Sequence, residues 1–282
     1  MIPYFYNRAP EKKCLLRILP LAFIFLLFIN THAFGAEHKY TIYFYNPETN
    51  INNFASLKKE FDLYLSQFGG YQFQPFSERE MFEKLIANKK DGIFIISSWH
   101  YKKLKERIPI EPVMVAIAKN KPTCRRIFST NRTIDDIKLL TGMNVASASS
   151  EDYTKSVLVQ MFGENNGSIA TSIKILSVPK DIDALMSVGF GMADGAITTD
   201  NSLAKLAAIN RKLHDKLKQL LISDETLLPI VAIPKLRDEN HLKLTKIIKD
   251  METAVEGKNK LNMLGFEGWK TLNESEKEYL GE

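Results

Sequence analysis

Short hydrophobic runs alternate along the chain with segments whose hydrophobic residues recur at helical spacing. Residues 40–46 and 92–96 are rich in β-branched and aromatic residues, which is typical of buried strands. Between them, large hydrophobic residues recur every three or four positions over residues 54–68, which predicts an amphipathic helix that ends at Gly69. This succession of strand, helix and strand predicts an α/β fold.

The same alternation continues through the rest of the chain. Further strands are predicted at residues 71–76, 126–130, 144–147, 174–178, 195–198 and 228–233. Further helices are predicted at residues 133–140, 153–162, 181–188, 201–221 and 237–255, and after Ser77, which could form a capping box with Glu80. One economical interpretation is two α/β lobes, the second inserted into the first, each with a mixed sheet flanked by helices. The chain then crosses between the lobes twice, which forms a two-segment hinge.

The first residues of the chain have the pattern of a secretion signal. Four basic residues precede a short apolar run over residues 18–29: Arg8, Lys12, Lys13 and Arg17. Small residues follow this run up to Gly35. This pattern predicts a signal peptide over residues 1–35, with an uncleaved membrane anchor as the alternative. Lipidation is not expected, since Cys14 precedes the apolar run.

The predicted organisation is therefore a signal peptide and two lobes. Residues 36–129 form the first part of lobe one, residues 130–223 form the inserted lobe two, and residues 224–282 return to lobe one and end in a tail. The hinge is expected near residues 128–131 and 222–229.

Composition narrows the class of partner. Residues 1–35 carry four basic side chains and one acidic side chain, so their removal lowers the formal net charge from +5 to +2. A nearly balanced charge argues against a nucleic-acid partner. Cys124 is then the remaining thiol, so no internal disulfide is expected.

Polar and aromatic residues follow two predicted strands of lobe one. Tyr45 and Asn46 end the first strand, where they could contact a ligand, although Tyr45 could equally belong to the core. Ser97 and Ser98 follow the strand over residues 92–96 and could bind a polar ligand or only cap a helix. Two aromatic residues beside them, Trp99 and Tyr101, could stack on an apolar or cationic group.

Lobe two has matching residues at its own strand ends. Ser149 and Ser150 precede a helix, and Thr199 follows the strand over residues 195–198. In open α/β sheets, ligands bind at the carboxyl ends of the strands, so a cleft between the lobes is the expected site. We find no metal-ligand spacing, Walker motif or nucleophile elbow, so no metal, cofactor or catalytic residue is expected.

At this level of detail the chain resembles the phosphate/phosphite/phosphonate-type periplasmic substrate-binding proteins of ABC transporters, which have the type 2 periplasmic binding protein fold. Four segments carry the resemblance in order: residues 85–95 (LIANKKDGIFI), 133–145 (TIDDIKLLTGMNV), 184–196 (ALMSV followed by MADGA) and 264–269 (LGFEGW). The resemblance implies a periplasmic solute-binding protein that closes on a small ligand.

Two departures from the family pattern concern the ligand. The resemblance implies a serine- and threonine-rich turn at a helix start, and here the turn is followed by Glu151 and Asp152. The resemblance also implies a histidine in the cleft, and that position aligns with Asp181. An ionised carboxylate cannot donate a hydrogen bond to an anion. A simple phosphonate or phosphate ligand is therefore not expected, although Glu151 and Asp152 could serve only the helix dipole.

The expected function is delivery of a small ligand to an inner-membrane transporter permease by a monomeric, non-enzymatic protein. Two alternatives stay open. The protein could instead be the ligand-sensing partner of a receptor kinase, or it could carry an apolar ligand for a non-ABC transporter. The predicted ligand contacts are Tyr45, Asn46, Ser97, Ser98, Trp99, Tyr101, Ser149, Ser150, Asp181 and Thr199.

Overall fold

The computed structural model describes residues 40–47, 51, 53–87 and 92–282. Within them, one sheet has six strands in the order β11-β4-β10-β3-β1-β2. These strands are β1 (Tyr40–Tyr45), β2 (Tyr71–Pro75), β3 (Gly92–Ile96), β4 (Ile110–Ile117), β10 (Ile230–Pro234) and β11 (Gly268–Thr271). β1 pairs in parallel with β2 and β3, whereas β10 and β11 pair antiparallel. We call this sheet and its helices the first lobe.

A second mixed sheet has five strands in the order β7-β6-β8-β5-β9. They are β5 (Thr123–Asn131), β6 (Asn144–Ser147), β7 (Lys174–Ser177), β8 (Gly195–Thr199) and β9 (Leu217–Leu227). β6 is parallel to β7 and β8, and the long strand β5 is antiparallel to both β8 and β9. We call this sheet and its helices the second lobe.

Helices cover the sheets of both lobes, and each lobe has its own hydrophobic core. The first lobe contains α1 (Phe54–Leu65), α2 (Arg79–Ile86), α3 (Ser98–Leu104), α9 (Glu239–Asp250), α10 (Val255–Leu264) and α11 (Glu274–Tyr279). The second lobe contains α4 (Glu151–Phe162), α5 (Gly167–Ser172), α6 (Asp181–Gly189), α7 (Asp200–Ile209) and α8 (Arg211–His214). Because both faces of the central strands are covered, β3 and β10 are continuous hydrophobic runs.

The chain crosses between the two sheets at neighbouring points. The first crossing is the tight turn between β4 and β5, in which Lys119 and Asn120 have φ angles of 52° and 59°, as a two-residue type I′ turn requires. The second crossing lies between β9 and β10. The two crossings hydrogen-bond to each other, since the Leu228 amide donates to the Pro122 carbonyl at 2.8 Å. Both carboxylate oxygens of Glu267 accept from the turn, from the Lys119 and Asn120 amides at 3.0 Å each.

The structure confirms the α/β prediction of two mixed sheets flanked by helices. The lobe boundaries predicted at residues 129/130 and 223/224 fall inside β5 and β9, and the pairing of both strands assigns them to the second sheet along their whole length. The sheets therefore part at residues 118–122 and 228–229 rather than near residues 128–131. Phe128 to Thr130 are buried in the middle of β5.

Three element predictions were wrong for local reasons. The helix predicted over residues 201–221 ends at Ile209, because Asn210 leaves the helical conformation. The Asn210 side chain instead caps the short α8 by accepting from the Leu213 amide. The following residues form β9, which pairs along β5. The helix predicted over residues 133–140 is only a 3₁₀ turn at Ile137–Leu140, which Asp136 caps. The capping box of Ser77 and Glu80 is absent, since α2 begins after Glu78 without a side-chain cap.

The predicted signal peptide over residues 1–35 lies outside the described residues. Among the residues that are described, no helix combines the length and the apolar character needed to cross a membrane.

Removal of the Glu267 carboxylate should destabilise the fold at the first crossing. In the Glu267→Ala variant, two turn amides lose a charged acceptor, so we expect the free energy of unfolding to fall by about 1–2 kcal/mol. Urea denaturation measures this change. Glu106→Ala, at an exposed position in the turn after α3, is the control and should change stability by less than about 0.5 kcal/mol. Equal stability of the two variants would contradict the role of Glu267.

Candidate functional site between the lobes

The ends of two adjacent strands bring the first-lobe residues of the predicted site together. Tyr45 ends β1 and is paired in register with Ile96 of β3, so Asn46 and Ser97 follow side by side. All three predicted residues, Tyr45, Asn46 and Ser97, are buried. The parallel pairing of β1 and β3 thus produces the arrangement expected from the sequence.

The helix α3 places Trp99 against the second lobe. The Trp99 ring stacks on the Tyr153 ring of α4, with 5.0 Å between the ring centroids and an interplanar angle of 22°. Its neighbour Ser98 donates to the Leu227 carbonyl at the end of β9, at 2.8 Å. Both residues therefore contact the boundary between the lobes, and Ser98 is not a helix cap.

Tyr101 is not at this boundary, contrary to the prediction. Two positions along a helix is about 200° of rotation, so Tyr101 points away from Trp99 and into the core of the first lobe. Its hydroxyl donates to the Glu282 carboxylate. Tyr101 therefore packs α3 onto the core of the first lobe and does not line the cleft.

In the second lobe, the start of α4 is capped by the protein itself. The Ser150 hydroxyl accepts from the Tyr153 amide at 3.3 Å, and the Ser149 amide donates to the Ser147 hydroxyl at 3.2 Å. Glu151 and Asp152 occupy the first turn and are exposed, where acidic side chains favour the helix dipole. This helix start therefore carries two exposed acids next to its serine cap.

Asp181 links three elements at the centre of the boundary. Its carboxylate accepts from the Thr199 amide at 2.8 Å and from the Ser202 hydroxyl at 3.2 Å. The Thr199 hydroxyl in turn caps α7 by accepting from the Ser202 amide. The Asp181 amide donates to the Pro47 carbonyl of the first lobe at 3.1 Å. The carboxylate at this position therefore takes the donors that a bound anion would otherwise use.

A second polar contact lies beside this one. The Lys180 ammonium donates to the Ile51 carbonyl of the first lobe at 2.7 Å. Together with the Trp99–Tyr153 stack and the Asp181–Pro47 hydrogen bond, it shows that the two lobes are in direct contact along the cleft.

Sequence reasoning missed a buried cluster behind Tyr45. His100 Nε2 lies 3.0 Å from a Glu83 carboxylate oxygen, and Arg79 lies 3.8 Å from the same oxygen. The Tyr45 ring is 5.5 Å from both the Phe82 ring and the His100 ring. The spacing of Arg79 and Glu83 by four residues was the available signal, but their meeting with His100 depends on the tertiary fold.

Burial sets the protonation of this cluster. Burial raises the pKa of the Tyr45 hydroxyl, so Tyr45 is a hydrogen-bond donor at neutral pH. Burial lowers the pKa of His100, against the opposing effect of its hydrogen bond to Glu83. That same hydrogen bond holds the pKa of Glu83 below its usual range. Neutral His100 therefore donates from Nε2 to the Glu83 carboxylate.

Several buried polar atoms near the start of α3 have no hydrogen-bond partner among the described residues. They are Ser97 Oγ, Trp99 Nε1 and His100 Nδ1. A buried hydroxyl without a partner is costly, so Ser97 Oγ has the capacity for one further hydrogen bond. In the described part of the chain, no group of three histidine, cysteine, aspartate or glutamate residues could hold a metal ion.

Three cavities open along the boundary, each lined by both lobes. One of about 310 Å³ is lined by Tyr45 and Arg79 on one side and by Ala148 and Val178 on the other. A second, of about 260 Å³, lies beside Trp99 and Tyr153. A third, of about 330 Å³, lies between α7 and the two crossings of the chain between the sheets. Volumes of this size fit small molecules.

Comparison with known proteins identifies the family. Residues 44–277 match the family described as "ABC transporter, phosphonate, periplasmic substrate-binding protein". The chain belongs to this family. It is thus a periplasmic substrate-binding protein of the phosphonate ABC transporter type, and this family serves transport rather than catalysis. No curated protein sequence matches the chain.

Solved structures show the same fold. A binding protein component of an ABC phosphonate transporter (PA3383) from Pseudomonas aeruginosa is 16% identical, covers 85% of this chain and 83% of its own, and has a TM-score of 0.68. PhnD1 from Prochlorococcus marinus, in complex with methylphosphonate, is 15% identical over 86% of this chain and 97% of its own, with a TM-score of 0.67. XAC2383 from Xanthomonas citri, bound to chloride ion, is 10% identical over 87% of this chain and 95% of its own, with a TM-score of 0.69.

The family match confirms the expected family, and the solved structures confirm the type 2 binding-protein fold. At such low sequence identities, the solved structures bear only on the fold of this substrate-binding protein.

The buried His100 should make the stability of this binding protein depend on pH. A folded-state pKa below the unfolded value means that the stabilisation is complete above about pH 6.5 and is lost as the pH falls below it. Between pH 7.5 and 5.5 the free energy of unfolding should therefore fall, with a slope of up to about 1.4 kcal/mol per pH unit. Urea denaturation at several pH values measures this slope.

Two variants separate His100 from other groups. In His100→Gln, the amide still donates to Glu83 but does not titrate, so the slope between pH 7.5 and 5.5 should be smaller than in the wild type. Ser168→Ala, at an exposed non-titrating position of α5, should keep the wild-type slope. An unchanged slope in His100→Gln would show that His100 does not titrate in this range.

Proposed function

We propose that this protein captures a small solute between its two lobes and delivers it to an inner-membrane ABC permease, as a monomer. The observation that carries the proposal is the convergence of buried polar residues from both lobes on one boundary, with Tyr45, Asn46 and Ser97 on one side and Asp181 and Thr199 on the other. The solute would contact both lobes and so favour their closure, which the permease could recognise.

A small oxyanion is poorly matched to the second-lobe side of this site. Helix starts bind anions through free amides and hydroxyls. Here the Asp181 carboxylate already accepts from the Thr199 amide and the Ser202 hydroxyl, and Glu151 and Asp152 follow the Ser150 cap. We therefore propose that a simple phosphonate is not the main ligand, although PhnD1 from Prochlorococcus marinus was solved with methylphosphonate.

The first-lobe side offers a different chemistry. The protonated Tyr45 hydroxyl and the Ser97 hydroxyl can donate, and Arg79 lines the cavity next to Tyr45. With Glu78 and Glu80 lining the same cavity, the three charged side chains carry both signs and a net charge of −1. The arrangement suits a solute that carries neutral polar groups or more than one kind of charge.

A thermal-shift panel tests the proposal. The panel contains inorganic phosphate, methylphosphonate, the amino acids, monosaccharides and short-chain and medium-chain carboxylates. At a concentration of about one hundred times its Kd, a true ligand stabilises the folded state by about 2.7 kcal/mol. We expect a clear rise in Tm with at least one solute and no micromolar binding of methylphosphonate. Micromolar binding of methylphosphonate would contradict the argument from Asp181.

The Ser97→Ala variant makes this test specific to the cleft. Ser97 Oγ has no partner among the described residues, so its removal should leave the Tm without solute unchanged within about one degree. The affinity for the bound solute should fall by about 5-fold to 30-fold, as for the loss of one ligand hydrogen bond. Ser275→Ala, at an exposed position on α11, is the control. A panel without any stabilising solute would contradict the proposed function.

A further inference from the structure

The cavity of about 330 Å³ lies to one side of the predicted contacts, between α7 of the second lobe and the hinge region of the first. Its inner end touches Asn46 and Thr199, both of which are buried. Its inner walls are apolar and come from the first lobe: Leu228, Pro229 and Phe266. The cavity is therefore continuous with the boundary where the solute is proposed to bind, but it has a different chemistry.

One helical face closes the cavity from the opposite side. Ala204 and Ala208 of α7 line it one turn apart, and both are exposed to solvent there. Small side chains at these positions keep the space between the lobes open. The apolar floor and this wall together give a slot that suits a hydrocarbon chain.

Two lysines stand at the mouth of the slot. Lys119 comes from the hinge turn, and Lys205 comes from α7. The Lys205 ammonium reaches across the gap to the first lobe, where a methyl group placed on Gly265 would lie 3.5 Å from its Nζ atom. The mouth also contains Glu267, whose carboxylate is bound to the amides of Lys119 and Asn120. The net charge of these three side chains is positive.

From this cavity we infer that the protein binds an anionic amphiphile, a carboxylate or phosphonate head on an apolar chain, with the head at Lys119 and Lys205 and the chain against Leu228 and Phe266. The inference rests on the proposed function and names a class of solute for the part of the boundary beside Asn46 and Thr199, away from Ser97. A cavity of about 330 Å³ lies within the range of pockets that hold small molecules. We therefore use a chain of about eight carbons as the probe.

This class of ligand agrees with the acids of the second lobe. Asp181 takes the donors at the start of α7, so a small oxyanion finds little to bind there. An amphiphile places its charge at the lysines and buries its chain, which contributes affinity that a small anion lacks. Each buried methylene group increases affinity by about fourfold.

Isothermal titration with matched probes tests the inference on the purified protein. The probes are octanoate and octylphosphonate, the short anions acetate and methylphosphonate, and octylamine as a cation of the same chain length. We expect at least one of the octyl anions to bind at least tenfold more tightly than the short anion with the same head, and octylamine to bind at least tenfold more weakly than that octyl anion. Equal affinity of long and short anions, or tight binding of octylamine, would overturn the inference.

Variants locate the binding. Ala204→Leu fills the slot from an exposed helical position, where leucine costs little helix propensity, so the fold should be kept. We expect it to weaken binding of the octyl anion by at least tenfold, and Lys205→Gln to weaken it by about threefold to tenfold. Lys212→Gln, at an exposed lysine outside the cavity, should change the affinity by less than twofold. Unchanged binding in Ala204→Leu would place the chain elsewhere and overturn the inference.

The failure of this inference can be told apart from the failure of the proposed function. If another solute of the panel binds and depends on Ser97, while neither octyl anion binds, the ligand class is wrong and solute capture stands. If no solute of either set binds, solute capture itself is wrong.

Discussion

The contact on which the cleft depends is made by Asp181. Its amide donates to the Pro47 carbonyl of the first lobe, and its carboxylate accepts from Thr199 and Ser202 of the second. One residue thus joins the start of α6, the start of α7 and the loop after β1. A buried carboxylate requires hydrogen-bond donors, and these donors are the ones that a small anion would need at the same place. The backbone of Asp181 therefore joins the two lobes, while its side chain holds the start of α6 against the start of α7 within the second lobe.

Around this contact, the boundary between the lobes has three parts that differ in the chemistry of their side chains. On the α4 side it is aromatic, with Trp99 stacked on Tyr153. Behind Tyr45 it is polar and charged, with the Glu83–His100 pair held in a ring of aromatic side chains. On the α7 side it is apolar with a basic mouth. The family supplies the fold and the role in periplasmic substrate binding, and our proposals for the ligand rest on these local differences.

Much of the fold could be predicted from the sequence, because β1 and β3 are uninterrupted hydrophobic runs and α1 has a clear helical period. The strand ends then indicated Tyr45, Asn46, Ser97 and Thr199, since parallel strands bring their carboxyl ends to one edge. The strand β9 could not be predicted in the same way. Between its buried ends, Leu217 and Leu227, its side chains are partly or fully exposed without regular alternation, and its conformation comes from pairing with β5 far along the chain.

The site was less predictable than the fold for a similar reason. Tyr101 looked equivalent to Trp99 in the sequence, but helical rotation turns it into the core. Arg79, Glu83 and His100 meet only through the packing of α2 against α3, which no local pattern encodes. Asp181, which the resemblance aligns with the cleft of the family, lies at the boundary between the lobes, but its bonding partners depend on the tertiary structure.

The most direct test of this account is hydrogen exchange of the Asp181 amide, measured by NMR with and without a saturating ligand. In the structure its acceptor belongs to the other lobe, so this amide is protected only while the lobes are in contact. The amide of Asp183, whose acceptor lies within the same helix region at Lys180, is the reference. The account predicts that ligand slows exchange at Asp181 by at least tenfold relative to Asp183. Equal exchange at Asp181 with and without ligand, at the rate of an unprotected amide, would contradict it.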